Sequence, residues 1–171
     1  MKKLVKILVL TVVALGAARL RAEEPELGET PSAGVWYGGI SLLPFRYLQF
    51  PSPDYDLRIL RVNLFSGACR SMAGLDYGLF CNYVETDAYG IQVSLCNWTE
   101  QTFGGIQLGV LNMCYGLCGL QLGVINYAIE GGGVQIGLAN FTQSARGVQI
   151  GLINMIQDSP VGMLPIMNVN F

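Results

Sequence analysis

The chain contains no histidine among its 171 residues. This absence removes the commonest general base, and with it the ordinary serine or cysteine triad. Neither a Gly-x-Ser-x-Gly nucleophile elbow nor a Walker-type phosphate loop occurs in the sequence. The acidic pairs Asp54 with Asp56 and Glu85 with Asp87 are interpreted as solvated charges in turns. The sequence therefore predicts a protein without enzymatic activity, cofactor or metal site.

Positive charge is scarce once the N-terminus is set aside. Residues 1–22 combine a Lys-rich start, an apolar run and an Arg-containing segment ending at Ala22, which predicts a cleaved signal peptide and export. Cleavage removes five of the ten basic residues and leaves five against twelve acidic ones, a net charge of −7. No basic patch remains to neutralise phosphates, so nucleic acid is excluded as a partner. Residues 23–34 are predicted to be a flexible leader and 35–171 a single β domain.

The five cysteines form no C-x-x-C pair, which together with the missing histidine argues against a zinc site. Export would permit a disulfide. Cys114 and Cys118 flank three residues as if closing a loop, and they are the candidate disulfide. The alternative is that all five cysteines are small apolar fillers.

The main positive feature is a repeat that occupies residues 90–171. Its units read GIQVSLCN, GIQLGVLN, GLQLGVIN, GVQIGLAN and GVQIGLIN, followed by a degenerate VGMLPIMN, with spacings of 15 and then 14 residues. A fixed short period indicates one structural unit copied and stacked. Two rows of amides recur and are interpreted as structural positions that bond their own neighbours, with a polar ligand as the alternative: Gln92, Gln107, Gln121, Gln135 and Gln149, and Asn97, Asn112, Asn126, Asn140, Asn154 and Asn168.

Within each unit the large apolar residues fall at every second position. In the last regular unit Val148, Ile150 and Leu152 form one face, and Gln149, Gly151 and Ile153 form the other. A period of two and β-branched residues predict strands rather than helices. Weaker copies extend back to Asp56, which gives about eight strands in an all-β fold.

Two architectures fit a repeat of one strand. The favoured one is an antiparallel up-and-down meander that closes as an 8- or 10-stranded outer-membrane-type barrel. The alternative is a β-solenoid of 14-residue coils, in which the Gln and Asn rows would stack as ladders. After Gly90 the only charges are Glu100, Glu130, Arg146 and Asp158, all in connectors, and this favours strands that face lipid. Acid in every second connector favours the meander as well.

The C-terminal strand supplies a further argument for the barrel. Apolar residues alternate along 161–171 and the chain ends on Phe171. This resembles the terminal strand of bacterial outer-membrane barrels, so Phe171 is predicted to be a signal for the outer-membrane assembly machinery.

The units GLQLGVIN and GVQIGLIN and the closing LPIMNVNF resemble a family of short-repeat bacterial surface proteins of the spirochaete type. The resemblance covers about 35–171, and Ser94 in place of the expected Gly is one departure from it. The resemblance implies a cell-surface or outer-membrane location and carries no biochemical activity.

The leading functional hypothesis is a structural outer-membrane or cell-surface protein without enzymatic activity. Its partners would be the lipid bilayer and the assembly machinery, and no ligand is identified. The alternative is an exported soluble β-solenoid that binds a protein or glycan through its connectors.

Overall fold

The computed structural model describes residues 34–42 and 49–170. The predicted signal peptide, leader residues 23–33 and the proposed assembly signal Phe171 lie outside the described residues. The regular elements of the described part are all strands, as the period of two predicts: β1 (Val35–Ser41), β2 (Gln49–Phe50), β3 (Asp56–Asn63), β4 (Ser66–Cys69), β5 (Ser71–Gly78), β6 (Cys81–Val84), β7 (Ala88–Val93), β8 (Cys96–Leu117), β9 (Leu120–Gly131), β10 (Val134–Ala145), β11 (Gly147–Ile156) and β12 (Met163–Asn170).

Equivalent residues of successive units pair in parallel. Gln121 lies opposite Gln135, which lies opposite Gln149, so the pairing offset equals the 14-residue sequence period. The chain is a β-solenoid of about 7 turns. The prediction of a closed antiparallel barrel is therefore wrong, and the alternative of 14-residue coils is confirmed. Barrel closure requires each unit to reverse direction, whereas the five regular units all run the same way.

Each regular coil bends once in its middle. Gln135 and Asn140 are 2% and 0% exposed, so both point into the coil. Because they are five residues apart, a straight strand would place them on opposite faces. The parallel register lapses between Ile136 and Ala139, where Gly137 and Leu138 turn the corner. Two sides therefore face each other, and Thr142 Oγ1 donates to Gln135 Oε1 across the interior at 2.9 Å.

The second glycine of the repeat stands where successive coils approach most closely. A Cβ added at Gly137 would lie 2.4 Å from the carbonyl oxygen of Gly123 and 2.7 Å from Asn126 Nδ2. No side chain fits there without moving the neighbouring coil. This contact explains why glycine follows the second apolar residue in the regular units.

Both ends of the solenoid carry an antiparallel strand. At the N-terminal end β2 pairs with β1, and at the C-terminal end β12 pairs with β11. Pro165 lies at the irregularity in the β11–β12 register, and Ile166 beside it has a φ of 70°. A proline and a bulge reduce the ability of an edge strand to accept another strand. The degenerate sixth unit is therefore an end cap and not a further coil.

The two faces of the strands are distributed as the alternation predicts. Gln149 is buried, whereas Ile150 and Leu152 on the other face are exposed. Ile153 was expected beside Gln149 but is exposed, because the bend at residues 151–152 rotates it outward. The solenoid therefore keeps its amides inside and its aliphatic side chains outside.

The interior is predominantly polar. Among the described residues, nineteen buried side chains are polar or charged and eleven are apolar. The apolar members include Met72, Phe103 and Leu117, which form a cluster with other buried residues. This distribution is the reverse of an ordinary soluble domain, whose buried positions are mostly apolar.

Candidate functional site: the inner ladders and the outer surface

The five predicted glutamines form a continuous buried ladder. Each Nε2 donates to the Oε1 of the glutamine one coil earlier, at 2.8 Å from Gln107 to Gln92 and at 2.7 Å from Gln149 to Gln135. The links through Gln121 and Gln135 have the same sense. Only the last acceptor, Gln149 Oε1, has no partner among the described residues. The glutamines therefore bond chiefly to one another, and all five are buried.

The asparagines form a second ladder of opposite sense. Asn97 Nδ2 donates to Asn112 Oδ1 at 2.9 Å, and the series continues in the C-terminal direction to Asn154. Each Nδ2 also donates to a backbone carbonyl of the next coil, as Asn112 does to Leu122. Asn168 instead reaches the backbone carbonyl of Asn154 at 3.4 Å. The asparagines therefore bridge the two sides of the solenoid beside its bend.

An ion pair replaces the glutamines in the earliest coils. Asp76 is in register with Gln92, and Arg61 is in register with Asp76. Arg61 Nε donates to Asp76 Oδ1 at 2.8 Å and Nη2 donates to Oδ2 at 2.5 Å, with both side chains buried. Burial is the largest single influence and lowers the pKa of Arg61, but the charge and hydrogen bonds of Asp76 together with Cys69 and Cys81 raise it above its ordinary value, so the guanidinium stays charged. Sequence reasoning missed this pair, although its 15-residue offset matches one coil.

The cysteines divide into buried and accessible thiols. Cys69 and Cys114 point inward, and burial raises the pKa of each to about 12, which makes them unreactive. Cys118 is exposed, and Cys81 and Cys96 are half-buried. All five are free, so a disulfide between Cys114 and Cys118 remains a prediction from sequence.

The bends of successive coils align as one exposed row, here called the aliphatic edge. Its members range from 40% exposed at Val124 to 68% at Leu152. At about 4.8 Å per coil, eight positions extend about 34 Å. Contiguous apolar surface of this kind marks a protein or membrane contact. The row consists of Leu42, Leu64, Leu79, Leu95, Val110, Val124, Leu138 and Leu152.

Apolar surface continues from the aliphatic edge onto both sides of the coil. On one side Ile91 and Ile106 are exposed register partners, and Ile136 and Ile150 are exposed register partners two positions further along the unit. On the other side the exposed apolar residues include Ile125 and Ile153. The apolar surface therefore surrounds the solenoid on three sides.

The connectors between units form the fourth side, here called the connector edge. Asp158 N–H donates to the carbonyl of Gln143, and Arg146 N–H donates to that of Gly131, so the connectors stack on one another. Sequence reasoning expected alternate connectors at opposite ends, and this was wrong because the strands are parallel. Every charge after Gly90 lies on this edge, comprising Glu100, Glu130, Arg146 and Asp158.

A cavity of about 10 Å³ beside Gln135 and Thr142 has room for about one water molecule. No cluster of three potential metal ligands occurs among the described residues. Nor do those residues include a helix long and apolar enough to cross a membrane.

Comparison of the chain with protein-family models, curated proteins and solved structures finds no match. The candidate site therefore rests on the chain's own geometry, and its main feature is the outer surface.

Proposed function

We propose that this chain is a structural, non-catalytic β-solenoid of the cell surface that attaches to lipid through its aliphatic edge. The proposal includes export and the family resemblance inferred from the repeat units. The observation that supports this proposal is the distribution of polar and apolar side chains. Amides lie inside, apolar residues cover three outer sides, and the charges lie on the fourth.

Lipid suits this surface better than a second protein copy does. A dimer contact covers one face and leaves the other two apolar faces in water, whereas acyl chains can cover all three. The aliphatic edge is also convex, so two such edges would touch along a line and bury little area. A fluid lipid phase adapts to a convex edge, and the connector edge would remain in water with its charges.

The size of the coil is compatible with one leaflet. A side of about five residues measures about 16 Å. This is close to half of the ~30 Å hydrocarbon core of a bilayer. Hydrogen bonds between coils satisfy the backbone along the sides, which lowers the cost of contact with an apolar phase.

The free energy gained by burying the aliphatic edge is large enough to attach the chain to lipid. Fully burying a leucine or valine gains ~1.5–3 kcal/mol, so residues already about half buried would gain ~1 kcal/mol each. Eight residues on the aliphatic edge would then contribute roughly 8 kcal/mol before the entropy lost on binding is subtracted.

The test is flotation of the purified chain with phosphatidylcholine vesicles. We expect the wild type to float, and the variant Leu138→Glu with Leu152→Glu to bind about 30-fold more weakly, since it loses ~2 kcal/mol of apolar burial. A matched control adds the same two charges at exposed positions of the connector edge, as Gln143→Glu with Gln157→Glu, and should float like the wild type. A wild type that stays with the soluble fraction would contradict the proposal.

A second candidate function is binding of a protein through the connector edge. Three of its four charges after Gly90 are acidic, and Tyr115 Oη donates to Glu130 Oε1 at 3.4 Å. A partner with a basic surface would complement this edge. Capture of a defined basic protein that is lost with Glu100→Gln and Glu130→Gln, and is unchanged by Leu138→Glu with Leu152→Glu, would favour this function.

A further inference from the structure

Two of the half-buried cysteines are direct neighbours on successive coils. Cys81 in β6 is the register partner of Cys96 in β8, and the pairing is parallel along the whole segment from Cys81 to Val84. The sequence separation of 15 residues equals the length of one coil at this point, as it does for Asn82 and Asn97.

The register places the two thiols within bonding range. Paired residues on adjacent strands have Cα atoms about 4.8 Å apart, which falls inside the 4.4–6.8 Å range found for disulfides. Side chains of paired residues in a parallel sheet project from the same face, and neither Cys81 nor Cys96 is buried in the interior. Their neighbours Asn82 and Asn97 are hydrogen-bonded inside the coil, which holds the two strands in this register.

The two thiols also differ in acidity. The hydrogen bond with Cys96 is the largest cause that raises the pKa of Cys81, and the same bond lowers the pKa of Cys96. Cys96 therefore forms the thiolate more readily, and a thiolate is the species that attacks a disulfide.

We propose that Cys81 and Cys96 are an oxidisable pair that forms a disulfide between two successive coils. The oxidant is an external disulfide, of low molecular weight or on a protein. The Cys96 thiolate attacks one of its sulfurs, forms a mixed disulfide and releases one thiolate. Cys81 then loses its proton to solvent and attacks the Cys96 sulfur, which forms the intramolecular bond and releases the second thiolate. Overall, two protein thiols are oxidised and one external disulfide is reduced to two thiols.

The consequence would be a covalent link across the early, irregular coils. The bond closes a loop of about 15 residues and restricts the unfolded chain. Compared with the reduced protein, the oxidised protein should melt about 5–10 °C higher.

The test treats the folded, reduced wild-type chain with oxidised glutathione, blocks the remaining thiols by alkylation and digests with chymotrypsin. Cleavage after the aromatic residues separates the two cysteines into peptides 81–83 and 90–98. We expect these peptides to be joined and to be lighter than their sum by two hydrogen atoms. Because the wild-type digest is decisive, the test does not depend on any variant folding.

Two variants sharpen the assignment. Cys96→Ser should abolish both the joined peptide and the gain in melting temperature, whereas Cys118→Ser, at an exposed thiol, should keep both. The inference is overturned if Cys96 stops at a mixed disulfide with glutathione, or if the joined peptide forms only from chain oxidised in urea. Formation of a Cys114–Cys118 bond in the absence of the Cys81–Cys96 bond would also overturn it.

Discussion

The early coils and the regular coils fill the same row of buried positions with side chains of different chemistry. From Gln92 to Gln149 the inner row consists of neutral amides, each a donor to the preceding residue of the row and, apart from Gln149, an acceptor from the following one. In the earlier coils Asp76 and Arg61 occupy that row as an ion pair. An amide can continue a ladder without limit, whereas a carboxylate only accepts and a guanidinium only donates. The ion pair therefore ends the Gln ladder, and its stability depends on both partners.

The largest expected effect comes from breaking the ion pair. Asp76→Ala leaves Arg61 charged and buried without its partner, so it should lower the free energy of unfolding by about 3–5 kcal/mol. The double change Arg61→Gln with Asp76→Gln should recover most of that loss, because it extends the neutral ladder by two coils. Urea unfolding followed by circular dichroism measures both. A double variant as unstable as Asp76→Ala would show that the row depends on charge and not on amide geometry.

The corner position gives a second contrast, between an early regular unit and a later one. Gly137→Ser should cost about 1–3 kcal/mol, since any Cβ there meets the Gly123 carbonyl. At the same position of an earlier coil the chain already carries Ser94, whose Oγ donates to Asn97 Oδ1 at 3.0 Å. Ser94→Gly should therefore change stability by less than about 1 kcal/mol, as the loss of one hydrogen bond. Equal effects in the same urea experiment would remove the distinction between the two corners.

Within the Gln ladder, replacing an inner glutamine should reduce stability more than replacing the last one. Gln121→Ala leaves Gln135 Nε2 and Gln107 Oε1 without their ladder partners and should cost about 1–3 kcal/mol. Gln149→Ala should cost less, because Gln149 Oε1 already has no partner among the described residues. The difference in urea midpoint between the two variants measures the contribution of ladder continuity.

The smallest effect on stability is expected outside the ladders. Leu138→Gln changes an exposed side chain on the aliphatic edge and should alter the free energy of unfolding by less than about 0.5 kcal/mol. A loss above 1 kcal/mol in detergent-free buffer would mean that the edge is already covered, for instance by another copy of the chain.

The strand period, the repeat unit and the inward orientation of the glutamines could all be predicted from sequence. The positions of the charges could not decide between a barrel and a solenoid, because a lipid-facing barrel and this solenoid both keep charge off their outer apolar faces. The decisive signal was the five-residue step from Gln135 to Asn140. Two buried amides at an odd separation require a bend within the unit, and a straight barrel strand has none.

The pairs outside the regular repeat were missed for a related reason. Arg61 with Asp76 and Cys81 with Cys96 are each separated by one coil length, but that offset has meaning only when units are known to run in parallel. An antiparallel interpretation instead favours pairs that are close in sequence, such as Cys114 and Cys118.

The central claim is that the five regular units run in the same direction, so that the connectors between them share one edge. It is tested by the double variant Gln143→Cys with Gln157→Cys, oxidised in the folded state and digested with trypsin. Cleavage after Arg146 separates the engineered cysteines, and peptide 147–171 has no native cysteine. The solenoid predicts a disulfide between peptides 71–146 and 147–171 through residues 143 and 157, whose Cα atoms would be about 4.8 Å apart. Failure to form that bond, with Gln157→Cys alone as the control, would contradict the account, because an antiparallel meander places these connectors a strand length, about 27 Å, apart.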